Sequence, residues 1–404
     1  MMRCVSNTPS QRELLRLLAG VVSGQVDPAA VPAESWDLLA DLSIEHGLGP
    51  MLLWSVKQAG VDSVPAGSLG VLAASAHQSA MADILYEQSL DAISRALASA
   101  GIQALWLKGA CLARTLYPQS SLRPMSDLDV LVRRGQVENA LDVLRGLGYG
   151  FDGERGFRPS SPSETDEAYL KHLSFHHYVL KGGVHRAVTV ELHFGLPAHA
   201  PGKKGLLPEE HMKWFRENTR PFRTACGAVC SGLAPEAHLQ FLAAHNILHH
   251  GEFRPYLMRD LDVHLLISRE SLDWQKIVDQ AVELAWTGAV ARSLERSVEL
   301  FRSPVPAKVI EELALRRPAH EDPALASRAR VPGHRWMRVR SLLERLPARE
   351  KMRYCLQSLF PAVGYMRSRY AVSEGSPVWP WYAYRWFDQG REIIHALEKR
   401  RVRS

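Results

Sequence analysis

The sequence predicts an α+β protein in which a small mixed β-sheet lies between an N-terminal and a C-terminal helical region. Apolar residues recur at helical spacing from residue 8 to about residue 100 and again after residue 208, whereas short β-branched runs cluster between them. The 404 residues are enough for about two or three domains. We therefore divide the chain into a helical region at 1–100, a mixed-sheet core at 101–200 and a helical domain at 201–404.

The composition is ordinary for a globular protein. Hydrophobic residues make up 46% and charged residues 23% of the chain, and no run approaches the roughly 18 consecutive apolar residues of a membrane span. The N-terminus lacks an apolar signal core, so we expect a cytoplasmic protein without a membrane partner. Five cysteines argue against a disulfide scaffold. The net charge of +6 suits a nucleic-acid-binding protein or an enzyme that handles nucleotides, and does not decide between them.

The N-terminal region is predicted to begin with a capped helix. Ser10 precedes a run of leucines at helical spacing, and Glu13 follows three residues later, which is the pattern of a capping box. Residues 72–98 predict a long amphipathic helix. No motif here carries chemistry, and we interpret these helices as a region that packs on the core.

Lys108 and Gly109 connect a predicted strand at residues 102–107 to a predicted helix at residues 110–117. The free N–H groups and the dipole at a helix N-terminus favour an anion, and the lysine would add a positive charge for phosphate. Without further context the same two residues are also typical of a plain strand–helix turn.

The central motif is Asp127-Leu128-Asp129, set in a β-branched apolar run. Because successive side chains of a strand point to opposite faces, Asp127 and Asp129 are expected to share a face. Two carboxylates aimed at one point make a site for Mg²⁺ (or Mn²⁺), since Mg²⁺ binds carboxylates together with phosphate oxygens. So short a motif is also typical of solvent-facing residues on an edge strand.

A third carboxylate is predicted on a later strand. Residues 173–180 and 188–194 predict two strands joined by a hairpin at Gly182-Gly183. In the second strand Glu191 and His193 share a face. A carboxylate in so apolar a strand requires a compensating partner, either a metal ion or a lysine or arginine in a structural salt bridge. We interpret His193 as a residue that supports its neighbours or packs beside them.

In chain order, Lys108-Gly109, Tyr117-Pro118, Arg123 and Asp127-Leu128-Asp129 resemble the motif of a bacterial nucleotidyltransferase family within the DNA polymerase β-like superfamily. The resemblance covers residues 102–194 and is weaker in the helices that follow. Gly109 and Asp127 are farther apart than in compact members of the superfamily. The resemblance implies that Asp127, Asp129 and Glu191 act in catalysis and hold the metal, and that Lys108, Gly109, Arg123 and Ser126 bind the nucleotide.

The implied reaction is Mg²⁺-dependent transfer of NMP from an NTP to a hydroxyl-type acceptor. The sequence does not identify the acceptor. A small molecule or a peptide is favoured, and RNA is an alternative. Two other functions remain open, namely a phosphotransferase that uses the same metal site and a non-catalytic nucleotide- or RNA-binding module.

Two polar segments follow in the C-terminal region. Residues 237–250 predict a helix on which His245 and His249 stand four apart, a spacing compatible with metal binding. Residues 259–262 repeat the Asp-x-Asp pattern as Asp260 and Asp262, but on a predicted helix, where the two carboxylates point to different sides. We interpret both segments as a polar helix surface beside the cleft.

Three further segments are predicted from composition. Residues 151–167 are expected to form a mobile loop and residues 196–208 a linker. Residues 328–353 are rich in arginine, and aromatic residues follow from Trp379 to Trp386. This combination can bind single-stranded nucleic acid by phosphate contacts and stacking. The alternative is a solvated basic helix followed by aromatic side chains that pack on the core.

Overall fold

The computed structural model describes residues 10–151, 177–182, 188–196, 207–250, 256–318, 321 and 375–387, and isolated positions between 352 and 372. Of the loop predicted at 151–167, Phe151 instead ends a strand and residues 152–167 lie outside the described residues. Most of the predicted linker and almost all of the arginine-rich segment also lie outside them. No helix within the described ranges combines the length and the apolar character that crossing a membrane requires.

The N-terminal region is helical, as predicted. It contains α1 (Gln11–Val22), α2 (Trp36–Glu45), α3 (Gly49–Gln58) and α4 (Ala66–Ser99). The capping box is confirmed, because Ser10 Oγ accepts a hydrogen bond from the Glu13 N–H at 3.3 Å and the Glu13 carboxylate accepts one from the Ser10 N–H at 2.7 Å. The helix predicted at 72–98 lies within α4, which is 34 residues long.

One mixed sheet forms the centre of the described structure. Its strands are β1 (Leu105–Trp106), β2 (Leu128–Leu131), β3 (Tyr149–Phe151), β4 (His177–Gly182), β5 (Val188–His193), β6 (Thr219–Arg223) and β7 (Val229–Leu233). Their order across the sheet is β3-β4-β5-β2-β1-β7-β6. β2 is antiparallel to β1 and parallel to β5, and β1 is parallel to β7. Together with the flanking helices, this sheet confirms the predicted α+β class.

The helices of the core agree with the sequence prediction in position. Helix α5 (Lys108–Thr115) follows β1, and α6 (Val137–Gly146) lies between β2 and β3. The predicted strand at 102–107 is shorter than expected, because only Leu105 and Trp106 pair with neighbouring strands. The paired strands β4 and β5 are antiparallel, as the predicted hairpin requires.

The hairpin of β6 and β7 contradicts the prediction of helices throughout the region after residue 208. Its strands pair from Thr219 opposite Leu233 to Arg223 opposite Val229, and β7 continues the sheet beside β1. The sheet therefore takes two strands from beyond residue 200. Pro221 in β6 and a cysteine, a serine and a glycine in β7 give these strands little of the alternating apolar pattern on which strand prediction depends.

Of the remaining helices, one lies between β5 and β6 and the others follow β7 in the chain. In chain order, these helices are α7 (Glu209–Glu217), α8 (Pro235–Ala244), α9 (Leu257–Arg269), α10 (Trp274–Glu283), α11 (Thr287–Phe301) and α12 (Ala307–Leu315). Helix α8 continues as a π-helical turn at His245–His250, so the prediction of a helix at 237–250 is confirmed.

The helical regions from the two ends of the chain share one apolar core. Leu18, Trp36 and Leu52 from the N-terminal helices are buried in the same cluster as Leu261 and Phe301 from α9 and α11. A second cluster lies between the sheet and helices α4 and α6. Fully burying a large apolar side chain contributes about 1.5–3 kcal/mol. The shared cluster therefore holds the two helical regions against each other.

Helix α4 also carries a row of acidic residues that fixes the core. Asp83, Glu87 and Asp91 are spaced four apart and so lie on one helix face. Asp83 accepts from Ser120 Oγ at 2.6 Å, and Glu87 accepts from the Arg114 Nε of α5 at 2.6 Å. Asp91 accepts from Thr224 Oγ1 at 2.6 Å, in the turn between β6 and β7. These hydrogen bonds hold α5 and the hairpin of β6 and β7 against α4.

Candidate functional site

Lys108 is the first residue of α5, two residues after the end of β1, and its backbone φ is 45°. The left-handed region is uncommon for residues other than glycine, and such strain often marks a functional position. The Lys108 Nζ donates to Asp129 Oδ1 at 2.6 Å and lies 4.0 Å from Glu191 Oε2. The chain turn at Lys108 thus delivers an ammonium group to the carboxylates of the neighbouring strands.

The pairing of β2 with β5 brings the acidic residues together. The two strands are parallel, and their register sets Asp129 opposite Glu191 and Leu131 opposite His193. His193 Nε2 lies 2.9 Å from Asp129 Oδ1 and 3.5 Å from Glu191 Oε2. One ligand atom from each of Asp129, Glu191 and His193 falls within 4.8 Å of the others. These three residues could therefore hold a metal ion.

Asp129 is held in its ionised form by Lys108 and His193. Burial alone would raise its pKa, but the charge of Lys108 and the hydrogen bond from His193 lower the pKa of Asp129 far below its ordinary value. Burial also opposes the charge of Lys108, yet the nearby carboxylates, Asp129 first, hold the Lys108 pKa above its ordinary value. Hydrogen bonds to Asp129 and Glu191 likewise raise the pKa of His193 against the effect of burial.

Asp127 immediately precedes β2 and interacts electrostatically with Asp129 and Glu191, but it is not one of the three residues whose ligand atoms lie within 4.8 Å of one another. Its Oδ2 accepts from Ser126 Oγ at 3.0 Å. Burial and the negative charge of Asp129 raise the pKa of Asp127 to about 6. Carboxylates that repel one another in a partly buried site are stabilised by a cation, and Mg²⁺ and Mn²⁺ both prefer carboxylate oxygens. The carboxylates present therefore fit a divalent cation.

Gly109 has no room for a side chain. A Cβ at this position would meet the Arg123 Nη1 and lie 2.9 Å from the Met125 Cγ. The guanidinium of Arg123 thus packs directly on the first turn of α5. Glycine is required here by close approach of neighbouring side chains, and its own φ is not positive.

Arg123 forms a buried ion pair that sequence reasoning did not predict. Its Nε and Nη2 donate to the two carboxylate oxygens of Asp262 at 2.8 and 2.6 Å, and Tyr117 Oη donates to Asp262 Oδ1 at 2.8 Å. The charge of Asp262 outweighs burial and raises the pKa of Arg123. Arg123 is therefore already paired with a carboxylate of α9, although the resemblance assigns it to the nucleotide.

The two aspartates of the second Asp-x-Asp pattern have different partners. Asp260 binds Arg296 of α11, with Nη2 2.7 Å from Oδ2, whereas Asp262 binds Arg123. They contact different elements, as expected for residues two apart on a helix. Both carboxylates are buried, so the interpretation of this segment as a polar helix surface is wrong for Asp260 and Asp262.

In the π-helical turn, the described side chain of His245 is not part of the acidic cluster. The ring of His245 lies 5.8 Å from that of Phe241. The side chain of His249 lies outside the described positions. In the aromatic segment, Trp379 is 74% exposed and Tyr384 is 54% exposed, so the alternative that these two side chains pack on the core is wrong.

The fold and the site together define a class: a mixed-sheet core that carries a candidate divalent-metal centre, flanked by helices. A family model described as "Uncharacterised nucleotidyltransferase" matches residues 32–302. The chain belongs to this nucleotidyltransferase family. The match begins before α2 and ends just after α11, so it includes helices on both sides of the sheet. No curated protein matches the sequence.

Proposed function

We propose that the protein is a divalent-cation-dependent nucleotidyltransferase that transfers NMP from an NTP to a hydroxyl acceptor. The observation that carries the proposal is the register of β2 and β5, which sets Asp129 beside Glu191. Asp127 lies two residues before Asp129, and the Lys108 ammonium faces both strands. The family match supports the class of reaction.

Asp127, Asp129 and Glu191 would hold Mg²⁺ or Mn²⁺. When bound, such a cation would stabilise negative charge on the transferring phosphoryl group and make an acceptor hydroxyl more acidic. The buried side chain of Asp129 is fixed by two hydrogen bonds, whereas the Glu191 side chain is 21% exposed. Asp129 therefore supplies the rigid anchor of the site, and Glu191 is open to the solvent side from which an acceptor would approach.

The start of α5 would bind the triphosphate. Free backbone N–H groups and the helix dipole favour an anion at this end of a helix, and Lys108 offers an ammonium group. Ser126 Oγ, beside Asp127, can donate to a phosphate oxygen. Arg123 would support this site by packing on Gly109. Of the Arg123 nitrogens, only Nε and Nη2 donate to Asp262, so its Nη1 would still be able to donate to a phosphate oxygen.

A small molecule or a peptide is the favoured acceptor in this proposal, and RNA is the alternative. The helices α8 and α9 would form the acceptor wall. Arg259 of α9 lies over the ring of Tyr256, with its Cζ 5.1 Å from the ring centroid. A guanidinium stacked on an aromatic ring presents both a flat surface and a positive charge to a bound group.

The experiment that tests this function follows a phosphate label. The protein is incubated with Mg²⁺, each of the four NTPs labelled on either the α- or the γ-phosphate, and separate pools of small metabolites, peptides and tRNA. We expect one pool to become labelled by the wild type and not by Asp129→Asn. Asp142→Asn, at a side chain that is 70% exposed, is the control. Label transferred only from the γ-phosphate would indicate a phosphotransferase, and no transfer from either position would contradict an enzymatic role.

A further inference from the structure

The side chain of Lys108 occupies the space between the carboxylates to which a cation would bind. Its Nζ is 2.6 Å from Asp129 Oδ1 and 4.0 Å from Glu191 Oε2. These two carboxylates also belong to the group whose ligand atoms lie within 4.8 Å of one another. The same two carboxylates therefore contact an ammonium group here and would also bind a divalent cation.

The hydrogen-bonding capacity of Asp129 Oδ1 is fully used. A carboxylate oxygen offers about two lone-pair directions, and this oxygen contacts both Lys108 Nζ at 2.6 Å and His193 Nε2 at 2.9 Å. A cation that binds Oδ1 must displace one of these two nitrogen groups. Electrostatic repulsion acts in the same direction, because a divalent cation and an ammonium group cannot both lie close to one oxygen without a large cost.

Lys108 is the partner that can leave. The His193 side chain is 2% exposed and is held on the paired strand β5, whereas the Lys108 side chain is 17% exposed. Lysine carries its charge on a flexible four-carbon stem. Its backbone, with a φ of 45°, is also in a region that is uncommon for a residue with a side chain.

We propose that Lys108 is a built-in counter-cation of this site: it neutralises Asp129 until a divalent cation displaces it, and its released ammonium then binds a phosphate of the nucleotide. The second half of this statement rests on the proposed function. In this arrangement Lys108 keeps Asp129 ionised and in position when no cation is bound. Nucleotide binding then depends on prior cation binding, because only a displaced Lys108 can contact a phosphate. It also predicts that Lys108 weakens cation affinity, although it stabilises the cation-free protein.

The first test measures Mn²⁺ affinity without turnover. Free Mn²⁺ is followed by electron paramagnetic resonance during titration of the wild type, Lys108→Met, Lys108→Arg and Lys213→Met. Because removal of a neighbouring positive charge favours cation binding, we expect Lys108→Met to bind Mn²⁺ at least about tenfold more tightly than the wild type. Lys108→Arg keeps the charge and should bind at least as weakly as the wild type. Lys213→Met, at a side chain that is 70% exposed, should change nothing.

The second test uses the wild-type protein alone, in case Lys108→Met does not fold. Amines are labelled briefly with an N-hydroxysuccinimide ester, with and without Mn²⁺, and each lysine is quantified by mass spectrometry. If Mn²⁺ displaces the Lys108 ammonium from Asp129, Mn²⁺ should raise the labelling rate of Lys108 severalfold and leave that of Lys213 unchanged. Unchanged or slower labelling of Lys108, or an unchanged or lower Mn²⁺ affinity in Lys108→Met, would overturn the inference. If the wild type binds no Mn²⁺ at millimolar concentration, the proposed function fails as well.

Discussion

The buried ion pair between Arg123 and Asp262 leads to a quantitative stability prediction. Two hydrogen bonds of 2.8 and 2.6 Å join the side chains, which are 10% and 1% exposed. Asp262→Asn keeps the shape of the side chain but leaves the guanidinium buried without its counter-charge. Removing one partner of such a pair costs roughly 3–5 kcal/mol. We therefore expect Asp262→Asn to lower the free energy of unfolding by about 3 kcal/mol or more.

The assay is urea unfolding followed by tryptophan fluorescence, with a matched control on the surface. Asp279 and Arg316 form an ion pair of 2.6 Å, but their side chains are 53% and 39% exposed. Asp279→Asn makes the same chemical change and should cost no more than about 1 kcal/mol, because exposed pairs contribute little. A double variant, Arg123→Met with Asp262→Leu, should recover part of the loss by removing both charges.

Equal costs for Asp262→Asn and Asp279→Asn would refute this reasoning. Such a result would mean that the charge of the Arg123 guanidinium does not depend on Asp262. Water in an open nucleotide site, for example, would solvate that charge. It would then favour the role in nucleotide binding that the resemblance implies. A large cost for Asp262→Asn, with partial recovery in the double variant, would instead establish Arg123 as the residue that joins the core to α9.

Three further predictions concern pH, the glycine at the site and the third carboxylate. Burial and the charge of Arg269 lower the pKa of His264 to about 4 in the folded protein. Between about pH 6.5 and pH 4 the unfolded chain therefore binds more protons at this histidine than the folded protein does. The free energy of unfolding consequently falls as the pH drops through this range. The loss should reach up to about 3 kcal/mol, and unfolding curves of His264→Gln should show a shallower pH dependence. Gly109→Ala should destabilise the protein by roughly 1–3 kcal/mol, since its Cβ meets packed side chains, and should weaken NTP binding in a thermal-shift assay. Glu191→Gln, at a side chain that is 21% exposed, should leave the melting temperature nearly unchanged but reduce Mn²⁺ affinity, and normal affinity would exclude Glu191 as a ligand.

The local features of the fold were predictable because their signals lie within a few residues. Ser10 and Glu13 are three apart, and the helix that they cap begins where the sequence predicts. The leucine and alanine spacing of residues 72–98 likewise predicts most of α4. The hairpin of β6 and β7 was missed because its strands lack apolar alternation. Gly227, whose φ is 93°, was the one turn signal that the sequence offered there.

The carboxylates of the candidate site can be recognised in the sequence, but the contacts between them and their partners cannot. The Asp-x-Asp motif and the acidic residue in an apolar strand could be recognised one segment at a time. The bond from His193 to Asp129 depends on strand register across 64 positions, and the one from Arg123 to Asp262 joins residues 139 apart. No periodicity within a single segment encodes such pairs. The contact of Lys108 with Asp129, 21 residues later in the chain, likewise depends on the three-dimensional fold.

The most direct test of the central claim is a thermal-shift titration with each of the four NTPs, with and without Mg²⁺. The wild type is compared with the double variant Asp127→Asn/Asp129→Asn. A ligand at about 100 times its dissociation constant stabilises a protein by roughly 2.7 kcal/mol, which is readily detected. We predict Mg²⁺-dependent stabilisation by at least one NTP in the wild type and none in the double variant. Stabilisation that is equal in both proteins, or absent with every NTP, would contradict a nucleotide site at these carboxylates.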